Sequence, residues 1–383
     1  MKRTAILLAS LAVVSCAWSQ NLAKNEAKCL QAFAMQQSAK GGTNGDVLGF
    51  SGGNVAMMPG VTVENGHVTA IKWDKKDLGG VLDLTGFPAL ATVNVSDNKL
   101  SQLTVNNAPA LVELNASKNR LTEVNLQGVG QLQYLYLNKN RISEIGLGEV
   151  PFITKLNLSS NHLAALDVSN AVNLVYLNVM SNKLEQLSVD NCQSLKTLYA
   201  GYNDLTGITL SGLAKLQYLN VQGNKIQNLY IQDLPSLSSI ACNDNHMTAL
   251  SINGCNALND IFAPYNDLTT FTVSNVANLA FVNLEWNDLV NITLSNQNFL
   301  QRVDLSNNQL QMVDVSFDPM LRYLNISNNV NLTDLRTTGD NSLVQIVGDW
   351  TGLNLTEPDA MFNPAGPGMP PMGPGPVENP DVE

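Results

Sequence analysis

Asparagine recurs along this chain at a strict interval of 21 residues: Asn98, Asn119, Asn140, Asn161, Asn182, Asn203, Asn224, Asn245, Asn266, Asn287, Asn308 and Asn329. A chain written as one repeated unit does not close around a single centre. Each unit is too short to bury its own apolar residues and must stack on its neighbours. Eight residues before each Asn stands Leu or Ile, from Leu90 to Leu321, and five before it an aliphatic residue, from Val93 to Leu324. Apolar residues return two, five and seven positions after it, as in Leu184, Leu187 and Val189. The unit reads LxxLxLxxNxLxxLxL. The alternation before the Asn is that of a short strand with its leucines turned inward. The Asn is placed to satisfy loop backbone groups that stacking buries in every unit.

This pattern resembles the leucine-rich repeat family, and within it the 21-residue class of bacterial surface proteins such as internalin J and many Bacteroidetes proteins. The resemblance covers about residues 60–356. It implies an α/β-type but mostly β solenoid, a curved right-handed superhelix with a parallel concave sheet, given to binding; a monomer is expected. Val68, Ile71 and Trp73 begin a degenerate leading unit with Asp77 in the Asn place. Leu343, Ile346 and Gly348 close a degenerate last one with Thr351 there, after a one-residue shift at 331–332.

Four segments follow. Residues 1–19 read as a signal peptide: Lys2 and Arg3, then the apolar stretch 4–15, too short to span a bilayer. Two processing routes stay open, cleavage after Ala17-Trp18-Ser19 or lipidation of Cys16 after Val13-Val14-Ser15. Either takes the chain out of the cytoplasm, to the periplasm, the medium or the cell surface. Residues 20–67 form an N-terminal cap. Leu30, Phe33, Ala34 and Gln37 share one helical stripe between about Glu26 and Gln37, and Asn65-Gly66 between β-formers signals a hairpin. Residues 68–356 are the solenoid. Residues 357–383, with eight Pro and four Gly, are a disordered tail.

The net charge of −11 and pI near 4.7 exclude a phosphate-backbone partner. Cys192 and Cys255 share a column three coils apart, about 15 Å, too far for a disulfide, and Cys242 is an inward core position. His162 and His246 lie four coils apart, and His67 sits in the hairpin, so no two share a metal or a nucleophile; all three read as surface residues. No GxSxG, HExxH or phosphate loop occurs. No catalysis and no cofactor are expected. Triplets such as Asn157-Leu158-Ser159 follow from the repeat phase and put Asn on the sheet, so they are discounted as glycosylation sites.

The aromatic residues are what the repeat leaves unexplained. Six before the Asn stand Tyr134, Tyr176, Tyr218, Phe281 and Tyr323; four before it Tyr136, Tyr199 and Phe262; one before it Tyr202, Tyr265 and Trp286. These outward columns hold eight of the nine tyrosines, while the core is aliphatic. Exposed rings of this kind supply binding hot spots, although a Tyr six before the Asn also supports its neighbours in many such repeats. Excluding Tyr323 as an outlier, the expected ligand face is Tyr134, Tyr136, Tyr176, Tyr199, Tyr202, Tyr218, Phe262, Tyr265, Phe281 and Trp286. A protein ligand is the first expectation, a glycan stacked on the same rings the alternative, and a structural envelope role without a ligand the third.

Overall fold

The structure is a computed structural model that describes residues 22–148, 150–348 and 354–356. The signal segment with Cys16, Thr351 and the tail lie outside the described residues. The chain divides into two compact units, one ending at Leu163 and one beginning at Ala164. Each is mostly β and built of the same coil.

The first unit opens on helix α1 (Lys24–Ala34), which buries Glu26, Leu30, Phe33 and Ala34. It stops short of Gln37, which is exposed and bridges Thr43, because the chain turns there to use Gln36. Strand β3 (Gly79–Asp83) starts a small sheet and leaves an edge open. The Gln36 side chain donates to Val81 O at 2.8 Å and accepts from Val81 N at 2.7 Å. Asn44, buried in helix α2 (Asn44–Leu48), likewise donates to Gly79 O at 2.9 Å and accepts from Gly79 N at 3.0 Å. Two side-chain amides thus stand in for a missing strand. Gly80, at φ +82, lets Gln36 approach: a Cβ there would lie 2.0 Å from its Oε1.

Strands β1 (Val61–Glu64) and β2 (His67–Lys72) pair antiparallel. Between them Asn65 and Gly66 both take left-handed φ, 50° and 78°, the geometry of a two-residue hairpin turn. His67 is more than a surface residue. Its Nδ1 lies 2.7 Å from the buried Glu26 carboxylate, which also accepts the Val68 N–H at 2.7 Å, so the pair clasps α1 to the hairpin. Trp73, fully buried, stacks on Phe33 with ring centroids 5.4 Å apart.

From β2 onward, strands of successive coils pair in parallel, leucine beside leucine, as in Leu135↔Leu156 in the first unit and Leu198↔Leu219 in the second. The Asn ladder ties each coil to the one before. Asn203 Nδ2 donates to the carbonyls of Val179, Ala200 and Gly201 at 3.0, 3.0 and 3.1 Å, and its Oδ1 accepts the Leu184 N–H at 3.0 Å. One amide, with one of its two N–H groups shared between carbonyls, thereby reaches four backbone groups in a buried site. In the leading coil the register puts Lys76, not Asp77, in the Asn place: Ile71 pairs with Val93, and Asn98 Oδ1 accepts from Leu78 N, two residues beyond Lys76. The shift near 331–332 shows as a 22-residue step, Met312↔Asp334.

Every ladder Asn but Asn182 is buried, and the residue just before it is left-handed, from Asp97 to Asn328. A column ten residues after the Asn fills the turn with Ala108, Val129, Cys192, Leu213 and Cys255 among others, all buried. Burial pushes the thiols of Cys192 to about 11 and Cys242 to about 12, which leaves them unreactive. Toward the C-terminus the column turns acidic. Asp318 Oδ1 accepts Gln297 N at 2.6 Å, Asp340 Oδ1 accepts Asp318 N at 2.9 Å, and the second oxygen of each is buried without a partner. Burial pushes these carboxyls up to about 8 and about 7.

Candidate binding face

The strands carrying the aromatic columns are short because each coil is short, and their outward residues fall into rows by register. In the second unit Thr197 pairs with Tyr218, Tyr199 with Asn220, Tyr218 with Ser239, Asn220 with Ala241, Ala241 with Phe262, and Asp260 with Phe281. The rings therefore form two groups, not one band. Tyr176, Tyr199, Tyr202 and Tyr218 surround one coil; Phe262, Tyr265, Phe281 and Trp286 occupy two others. Between them runs a coil of small residues, with Ser239 and Ala241 buried.

Within the first group Tyr176 meets Tyr199 edge to face at 5.9 Å, and burial raises the Tyr199 hydroxyl above its ordinary pKa. Tyr202 leans on the next coil, where Gly223 makes room: a Cβ there would stand 2.7 Å from the ring. In the second group Tyr265 and Trp286 stack, centroids 6.0 Å apart and planes 13° apart. Tyr202, Tyr265 and Trp286 are each left-handed, at φ 55–56°, a backbone region disfavoured for bulky side chains. Other coils fill this place with Asp, Lys, Ser, Asn or Gly. These three rings are also 50–51% exposed.

A second difference marks two of these coils, those of Tyr202 and Tyr265, and two others. Four residues before the ladder Asn, this surface ordinarily carries Asn or Asp. Asn94, Asn115, Asn157, Asp304 and Asn325 accept both the N–H and the hydroxyl of the Ser two residues on. Asn178, Asn220 and Asn283 accept the N–H of Met180, Gln222 and Glu285. Tyr136, Tyr199, Ala241 and Phe262 stand in that place instead, and their coils forgo the turn. The recurring Asn-x-Ser is thus a structural pair, consistent with discounting it as a glycosylation signal.

A family model described as leucine rich repeat matches residues 172–226. The fold around that match is that of leucine-rich repeat structures. Among solved structures it is similar to YopM, a leucine-rich effector protein from Yersinia pestis, at 21% identity and TM-score 0.54, over 75% of this chain and 82% of that one. An internalin, inlF, from Listeria monocytogenes aligns at 20% identity and TM-score 0.49, over 85% of this chain and 94% of that one. No curated protein matches in sequence. At 21% identity the likeness to YopM shows the fold.

The leucine-rich repeat register also corrects the expected face. Tyr136 is 9% exposed, as is the outlier Tyr323, because rings in these columns lie down along the ladder onto neighbouring coils. Burial raises the Tyr136 hydroxyl, and Arg302 lies 4.5 Å over the Tyr323 ring. Tyr134, Tyr176, Tyr199, Phe262 and Phe281 are half-buried. Only Tyr202, Tyr218, Tyr265 and Trp286 are open. Tyr134 and Tyr136 belong to the unit ending at Leu163, the other eight to the unit beginning at Ala164. Spacing alone does not reveal the small-residue coil at Ser239 and Ala241 or the role of Gly223. The replacement of Asn by Ala241, four before the ladder Asn245, is the sequence signal for the first. Among the described residues no His, Cys, Asp and Glu cluster could hold a metal, and no helix is long and apolar enough to cross a membrane.

Proposed function

We propose that this leucine-rich repeat chain is an exported binding protein, without catalysis, whose second-unit strand face engages a protein ligand. Tyr202, Tyr218, Tyr265 and Trp286 are its open contacts, with Tyr176, Tyr199, Phe262 and Phe281 supporting them; Tyr134 and Tyr136 are left out. The observation that carries the reading is the placement of Tyr202, Tyr265 and Trp286, half-exposed, on left-handed backbone. Each ring there costs about 1 kcal/mol that Gly or Asn would avoid, and half of each ring stays in water. Folding alone does not account for that combination. Large amphipathic rings at a protein contact do. Export rests on Lys2, Arg3 and the apolar stretch 4–15. The reading is tested by placing a photo-crosslinker at Tyr218 and, as control, at the exposed Tyr230, whose strand Asn228–Gln232 belongs to a separate sheet, then irradiating intact cells of the source organism. One protein adduct specific to Tyr218 is expected. Equal adducts from both positions, or a carbohydrate ligand whose binding is lost with Trp286→Asn, would overturn it.

A further inference from the structure

Resting on that reading, we infer that the Tyr265–Trp286 pair seats a cationic side chain, lysine or arginine, of the protein partner. The charge around it is mostly acidic: the nearest base on this face, Arg302, pairs with Phe281 across the strands and is turned over the Tyr323 ring. Residues 226–301 contain no Lys or Arg, yet they hold Asp233, Asp244, Asp260, Asp267, Glu285 and Asp288. Asp244 occupies the left-handed position one coil before Tyr265, about 5 Å away along the ladder. Glu285 directly precedes Trp286, and Asp260 pairs with Phe281 across the strands.

The chain supplies no cation to most of these acids. Asp244 takes the Asn243 amide, Glu285 the Asn283 amide at 3.2 Å, and Asp288 the Gln309 amide at 2.6 Å. Burial holds the Asp260 carboxyl above its ordinary pKa, with no opposing charge offsetting it. The base of the segment is His246, 3.8 Å from Asp267. The Tyr202 group differs, since Asp204 beside it is paired with Lys225 at 2.7 Å.

Stacked ring faces with carboxylates at their rim attract a cation twice, through the ring quadrupoles and through charge. A neutral sugar could stack on the rings and hydrogen-bond the acids, but only a cation also gains from their charge. The same unit already contains the filled version of this contact, with the Arg302 guanidinium 4.5 Å over the Tyr323 ring.

The test titrates two ten-residue peptides, (Gly-Arg)5 and (Gly-Gln)5, against the full chain by calorimetry at low salt. The arginine peptide is expected to bind at least about tenfold more tightly. Trp286→Asn should cut its affinity about fivefold or more, Trp286→Tyr should restore most of it, and the pair Asp244→Asn, Glu285→Gln should erase the preference. Thermal melts of each variant establish that it is folded. Arginine binding indifferent to Trp286→Asn in a folded protein would overturn the inference, as would equal binding of the two peptides or none of either. If the Tyr218 crosslink to a protein persists in those cases, the protein-binding reading stands without the cationic seat.

Discussion

The coils ending at Asn119 and Asn161 and the coils ending at Asn203 and Asn266 share one backbone and one Asn ladder, yet they finish the same outward positions in opposite ways. The first two put Asn115 and Asn157 four before the ladder residue, close a polar pair with Ser117 and Ser159, and set Lys118 and Ser160 on the left-handed backbone. The other two put Tyr199 and Phe262 there, give up the pair, and set Tyr202 and Tyr265 on that strained backbone. The ladder beneath is indifferent to the exchange, since Asn119 and Asn203 make the same bonds. Scaffold and candidate site are therefore separable within one repeat: inward positions and the Asn hold the coil, and the three outward positions are free to vary.

The sharpest way to break that comparison is at the ladder. Asn119→Leu and Asn203→Leu should each lose about 2–4 kcal/mol, because each leaves several buried backbone groups unpaired. Chemical denaturation of both variants should give similar losses. A much smaller loss at Asn203 would mean the aromatic coils are held by their rings.

The next effect lies where a core column breaks the repeat's rule. Asp318 and Asp340 have folded-state values of about 8 and about 7, against an ordinary 3.8. A raised value means the folded chain holds protons that the unfolded chain releases. The contribution of these two carboxyls to stability is then full below about pH 4 and falls as pH rises toward 7–8. Melting temperature should drop across that window, and Asp318→Asn with Asp340→Asn should flatten the profile. An unchanged slope in the double variant would place the titration elsewhere.

The smallest effect separates the two surfaces themselves. Asn115→Ala should cost about 1 kcal/mol through the lost Ser117 pair, whereas Tyr199→Asn, which can restore that turn, should change stability by less. Equal losses would mean that Tyr199 is packing.

Much of this architecture is legible in the amino-acid order. The 21-residue period, the inward leucines, the ladder and the hairpin at Asn65-Gly66 follow from spacing, because a strict repeat turns one local rule into many identical contacts. The exposure of the rings does not follow. Spacing says which way Cβ points, but whether Tyr136 stands up or lies along the ladder depends on neighbours one coil away in space and 21 residues away in sequence. The His67–Glu26 clasp and the Gln36 and Asn44 edge contacts escape for a related reason: the cap is not repeated, so no pattern announces its partners. The leading coil slips by one, Lys76 for Asp77, because an acid looks closer to Asn than a lysine does.

The separation of scaffold from site is tested most directly by a single triple variant, Tyr202→Asn, Tyr265→Asn and Trp286→Asn, which installs the residue found at Asn307 and Asn328 in the same left-handed place. Relief of backbone strain should offset the lost ring contacts, so stability should move by less than about 1 kcal/mol per site. Affinity for the protein captured at Tyr218 should fall by about 2 kcal/mol or more, roughly thirtyfold. A variant that melts far lower yet still binds that protein would contradict the account and make the rings part of the scaffold.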